Sequence, residues 1–233
     1  MTSVLVFFAA VGAVVAWWMS RQRLMSKPWL EQGVIGEPPA GTPSIPVAKI
    51  GLGVLLAALG SLFALFISAY SMRMQMTDWS SLPMPALLWP NTGLLLISSI
   101  VLQGAKRAAD RRDIGGVKVG LLTAGGSALA FLVGQLLAWW QLAGSGYFLA
   151  GNPANSFFYL ITGLHGLHVM GGLAALARTV RKTWQTDNAR NVRLSVELCA
   201  MYWHFLLFVW LVLFALIMGW AGDAIAFCRQ LLT

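Results

Sequence analysis

Charge is what this sequence has least of. Charged residues make up 10% of the chain and hydrophobic ones 58%, where a soluble domain carries about 25% charge. Acidic residues are the scarcest class, eight against 16 basic ones, and only Glu197 falls inside a long apolar run. Strict apolar–polar alternation is missing too, and the apolar runs are too long for barrel strands, which excludes a β-barrel. Cysteine is limited to Cys199 and Cys228. One lies within the last apolar run and the other beyond its far end, too far apart along a helix to pair. Both read as free thiols. No positive charge precedes the first run, residues 4–19, and no small-residue cleavage site follows it. Arg21, Arg23 and Lys27 come directly after. That run therefore reads as a retained helix, with a cleaved signal peptide as the alternative.

What is present is a series of apolar runs of bilayer length. They predict an all-α polytopic membrane protein with six transmembrane helices, at about 4–19, 48–71, 86–105, 118–142, 156–178 and 195–219. The organisation follows as an N-terminal helix within 1–20, a linker at 21–47, a five-helix domain at 48–220 and a tail at 221–233. Pro28, Pro38, Pro39, Pro43 and Pro46 make the linker a solvated, partly polyproline-like segment. The net charge of +8 does not point to nucleic acid, because the basic residues alternate by side. With the N-terminus outside, Arg21, Arg23, Lys27, Lys49, the five from Lys106 to Lys118 and the five from Arg178 to Arg193 are all inside. Fourteen of the 16 basic residues are then inside, with Arg73 and Arg229 outside. Both termini are predicted on the outer face.

The polar content of the runs is concentrated in residues 156–172, SFFYLITGLHGLHVMGG. His165 and His168 share one helix face, and Gly163, Gly166, Gly171 and Gly172 surround them. Small residues let lipid-embedded helices approach closely. Glu197 and His204, seven apart in the last run, also share a face. Three readings fit these four polar residues. A metal or haem site is the first; Glu197 sits roughly 10 Å nearer the inside than His204, so a four-ligand cluster is excluded. A haem between His168 and His204 stays geometrically open. A proton or ion path is the second, since intramembrane ionisable groups are functional candidates. The third is a structural polar seam of interhelical hydrogen bonds, with Glu197 paired near the inner surface.

Four stretches together resemble subunit III of the haem–copper terminal oxidases. Phe157 and Phe158 precede Thr162, Gly163, His165, Gly166 and His168 as in that family's helix motif. Asn91 and Thr92 open a segment similar to its N-T-x-L-L-x-x-S-S helix. Gln135 precedes Trp139 and Trp140, and Glu197 is followed by Tyr202, Trp203, His204, Phe205 and Trp210. The resemblance covers about 50–219 and implies a five-helix subunit III core, with the helix at 4–19 as an addition. Carboxylates usual in the family are replaced by Leu59, Ala138 and Leu207.

The resemblance implies a non-catalytic subunit with no metal or cofactor of its own. Haem and copper would reside in subunits I and II. The chain would pack on subunit I, hold phospholipid and support proton uptake. The complex would reduce oxygen to water and pump protons in a bacterial inner membrane, with cytochrome c or quinol as donor. Alternatives are the accessory subunit of a nitric oxide reductase and a small b-type cytochrome using His168 and His204.

Overall fold

Each apolar run from residue 48 onward becomes a helix, and most extend past the apolar stretch into polar ends. The computed structural model describes residues 46–80, 82–186 and 189–219. The run at 4–19, the linker and the tail lie outside the described residues. Helix α1 spans Val47–Arg73, α2 Leu88–Asp110, α3 Ile114–Gly144, α4 Pro153–Trp184 and α5 Ala189–Ile217.

Local chemistry sets the helix ends. Pro46 stands immediately before α1, where its missing N–H costs nothing. Only three residues join α2 to α3, and Arg112 turns the corner in the left-handed region at φ 63°. Asp113 then caps α3, its Oδ1 accepting from Gly116 N at 3.0 Å. At the other membrane face Asn152 caps α4 ahead of Pro153 and donates from Nδ2 to Ser80 O at 3.0 Å. That bond ties the α3–α4 connection to the α1–α2 loop. In the same loop Arg73 holds Asp78 through both guanidinium nitrogens. This hydrogen-bonded guanidinium holds the Asp78 carboxyl below the usual carboxylate range.

Helices α2, α3, α4 and α5 close into a four-membered ring, each touching two neighbours, and α1 lies outside it against α4 and α5. The ring interior is filled by Phe131, Phe158, Trp203 and Trp210, all essentially inaccessible. α2 and α3 approach most closely through small residues: a Cβ on Gly120 would stand 2.7 Å from Ala105 Cβ. α1 contributes two buried side chains, Phe63, 2% exposed, and Tyr70, 8% exposed.

Among the described residues, four helices are long and apolar enough to cross a membrane: α1, α3, α4 and residues 192–217 of α5. α2, expected to be a fifth span, is not one of them. Its 23 residues reach about 35 Å, so length is sufficient and polarity is the difference. Asn91, Ser98 and Ser99 are buried, because α2 lies between α3 and α5 and turns its polar groups toward them. Bundle burial replaces lipid contact for those groups.

Candidate functional site

The motif residues converge on the contacts that join one helix to the next. Trp203 Nε1 on α5 donates to Ser98 Oγ at 2.7 Å, and Ser98 Oγ donates onward to Ala124 O of α3 at 2.8 Å. One relay of two bonds therefore links α5, α2 and α3. Toward the N-terminal end of α2, Trp210 Nε1 donates to Thr92 Oγ1 at 2.9 Å. Trp139 Nε1 donates to Thr162 Oγ1 at 3.1 Å, joining α3 to α4. Tyr202 closes α5 on α4 by donating to His168 O at 3.0 Å. Asn91 Nδ2 donates to Gln135 Oε1 at 3.2 Å, wholly buried between α2 and α3. Asn91 can sit there because residue 134 is glycine; any Cβ at that position would collide with the Asn91 amide.

The three histidines have three different environments. His204 makes interhelical hydrogen bonds: its Nδ1 lies 2.5 Å from Ser99 Oγ and its Nε2 3.1 Å from Gln103 Oε1. The neutral ring protonated on Nε2 fits both, accepting from the serine and donating to the glutamine oxygen. His168 bonds within its own helix, Nδ1 donating to Leu164 O at 2.7 Å. Its ring faces Phe63 at 5.5 Å. His165 is fully buried, and neither ring nitrogen meets a hydrogen-bond partner among the described residues. Aromatic rings hold it instead: Trp210 at 5.1 Å, Phe131 at 5.9 Å and Phe63 at 6.2 Å. Interhelical hydrogen bonding, expected for all three, is thus made by one. The physical reason is the aromatic crowding from α1, α3 and α5, which fills the space polar partners would need.

Glu197 pairs with Lys49 Nζ at 2.8 Å and with Lys106 Nζ at 3.6 Å, so one carboxylate joins α1, α2 and α5 near one membrane face. At that same face Arg193 Nε donates to Asp110 Oδ1 at 2.6 Å, and Lys118 stands 5.5 Å over the Trp184 ring.

The four glycines around the histidines also divide. A Cβ on Gly172 would stand 2.8 Å from Tyr202 Cε1 and 2.9 Å from Trp203 Cζ3. On Gly163 it would stand 3.1 Å from Trp139, on Gly166 3.6 Å from Leu132, and on Gly171 it would meet nothing within 4 Å. Gly163 and Gly166 line an open groove of about 480 Å³ between α3 and α4, whose other walls include Leu132, Leu136, Leu160, Leu167 and Met170. Phe157 packs edge-on against Tyr70 of α1 at 5.8 Å.

No group of three or more histidine, cysteine, aspartate or glutamate side chains among the described residues is placed to hold a metal ion. His204, one of the two ligands a bis-histidine haem would need, has both ring nitrogens engaged by Ser99 and Gln103. Cys199 is buried and free, its sulfur 3.4 Å from Thr179 Oγ1; Cys228 lies outside the described residues.

Ser98 and Ser99 are the two serines of the N-T-x-L-L-x-x-S-S stretch; reading the sequence missed Gln103 and Gly134. The signal for Gln103 was available. Asn91 and Ser98 stand seven apart and Ser99 and Gln103 four apart in the least apolar of the runs, which puts each pair on one helix face.

Comparison with known proteins agrees with this arrangement. The family model described as cytochrome c oxidase subunit III matches residues 55–222. "Cytochrome c oxidase subunit 3" of Synechocystis sp. is 31% identical over 173 residues, covering 72% of this chain and 73% of that protein. "Probable cytochrome c oxidase subunit 3" of Mycobacterium bovis is 32% identical over 176 residues, covering 73% and 87%. The chain belongs to the cytochrome c oxidase subunit III family, a membrane component of an oxidoreductase complex.

Proposed function

We propose that this chain is a non-catalytic integral subunit of a respiratory haem–copper oxidase that reduces oxygen to water and pumps protons. It packs on subunit I of a complex also holding subunit II, binds phospholipid and supports proton uptake. It sits in a bacterial inner membrane with both termini on the periplasmic side. One observation carries the reading: the motif residues Thr92, Trp139, Thr162, Tyr202, Trp203 and Trp210 bond one helix to another. Their chemistry is committed to holding a bundle, which is what a subunit without redox centres requires. Haem and copper belong to the partner subunits in this reading.

The groove between α3 and α4 supports the lipid role. Its apolar walls and its volume of about 480 Å³ suit an acyl chain. Glu197 supports a limited role in proton supply. It is the lone carboxylate in the apolar runs and is already neutralised by two ammonium groups, so the chain assists a path located elsewhere.

The test is copurification of the tagged chain from native membranes in mild detergent, followed by a visible spectrum and oxygen consumption. The expected fraction carries haem bands and oxidase activity. A complex stripped of this chain should keep its haem spectrum, begin turnover and then lose activity with continued cycling. Loss of the haem spectrum at the moment of removal would refute the accessory role.

A further inference from the structure

We infer that the strip of α5 bearing Glu197, Met201, His204 and Phe208, with the adjoining edge of α2, is the surface on which a membrane-spanning helix of the catalytic subunit docks. That helix carries a carboxylate near its inner end, opposite Lys106. The inference rests on the oxidase-subunit reading above and names the face through which it operates.

The strip is defined by three consecutive residues. Successive side chains on a helix turn by about 100°. Trp203 reaches Ser98 of α2, Phe205 turns toward Gly60 of α1, and His204 points between them. Glu197, Met201 and Phe208 lie on the same side as His204 by helical spacing. The result is a trough floored by α5 and walled by α1 and α2. His204, Met201 and Phe208 are exposed along it, and Ile100 of α2 is 61% exposed beside it.

Two features say what covers it. First, His204 stands at the midpoint of the span 192–217, the depth at which a polar edge facing acyl chains is least favourable. Ionisable side chains at such depth face protein or a water-filled cavity. A phospholipid could set its phosphate against the lysines at the inner mouth, but its tails cannot cover an imidazole at the midplane. Second, the inner mouth holds two ammonium groups for one carboxylate. Lys49 takes Glu197 at 2.8 Å, and Lys106 stands farther off at 3.6 Å. Two ammonium groups thus share one carboxylate, and Lys106, the more distant of the two, can take a second carboxylate as well. A second copy of this chain fits poorly, because a two-fold contact through this strip would bring Lys106 against its own counterpart.

The experiment places a photo-crosslinking residue at Met201 or Phe208 in the full-length chain within native membranes. Leu136 and Leu167, on the α3–α4 groove, serve as controls. The expected result is an adduct with the haem-bearing subunit from positions 201 and 208 and none from 136 or 167. Adducts at 201 and 208 with lipid only, or with a second copy of this chain, overturn the inference, as do adducts from the control positions alone. In parallel, Lys106→Gln should speed loss of this chain from the complex in detergent by about tenfold, because a carboxylate is left unpaired in an interface. Lys49→Gln, which among the described residues removes the pair with Glu197 alone, should have a smaller effect; the reverse order also overturns it. Failure of any haem protein to copurify would instead defeat the oxidase-subunit reading, so the two failures are distinguishable.

Discussion

Gly171→Ala and Gly172→Ala form a matched pair one residue apart in the middle of α4. Both replace a helical glycine, and each should gain the same roughly 0.5–1 kcal/mol of backbone preference. Their surroundings differ completely. At Gly171 the new methyl meets nothing within 4 Å. At Gly172 it lands 2.8 Å from Tyr202 Cε1 and 2.9 Å from Trp203 Cζ3, well inside the carbon–carbon optimum of about 3.5–4.0 Å. Neither ring can retreat easily. Trp203 is anchored by Nε1 to Ser98, which is itself bonded to Ala124 O, and Tyr202 is held at its hydroxyl by His168 O. Relief must come from α4 and α5 moving apart, an overpacking cost of about 1–3 kcal/mol. Gly171→Ala should therefore be neutral or slightly stabilising, and Gly172→Ala should be less stable than it by about 1–3 kcal/mol. Tryptophan fluorescence during titration with a denaturing detergent measures both variants on one scale. Equal midpoints, within error, would refute the claim that close approach at Gly172 holds α4 to α5.

Other outcomes follow from single contacts. Trp203→Phe removes the bond to Ser98 and also part of a fully buried ring, so in the same titration it should cost more than the roughly 0.6 kcal/mol that such a bond averages. Asn91→Leu should destabilise by about 1–3 kcal/mol by stranding the Gln135 amide, and adding Gln135→Leu should recover much of that loss. Asp78 is held below the usual carboxylate range by Arg73, so its contribution is complete at neutral pH and is lost as pH falls through the lowered value. The gap in midpoint between wild type and Asp78→Asn should hold steady above about pH 4 and shrink below it; a gap that grows on acidification would contradict the sign. Reporter fusions at Thr233 and near Thr42 should report opposite sides of the membrane, and a common side would rule out the proposed topology.

Much of the architecture was legible as apolar runs, because bilayer thickness imposes a minimum length on any spanning helix. Five of the six expected helices fall within the described residues, and all five are there. Their ends were less legible. α4 continues to Trp184 and α2 to Asp110, since a helix persists beyond the hydrocarbon wherever its polar side chains can reach a neighbouring helix or water. That extension matters chemically. Lys106, read as part of a connecting segment, lies on α2 and reaches Glu197.

The sequence by itself determined the solvent, the helices and the family. Run length and charge scarcity require a membrane, and the motif stretches stand in an order that one family shares. Only the tertiary structure decided what each polar residue does. His165, His168 and His204 are the same side chain in similar apolar contexts, yet one is packed among aromatic rings, one bonds its own helix and one bridges to α2. Helical periodicity fixes which face a residue occupies, but not which helix that face will meet. That choice depends on how five helices pack around Trp203 and Trp210, through contacts between residues about a hundred positions apart in the chain.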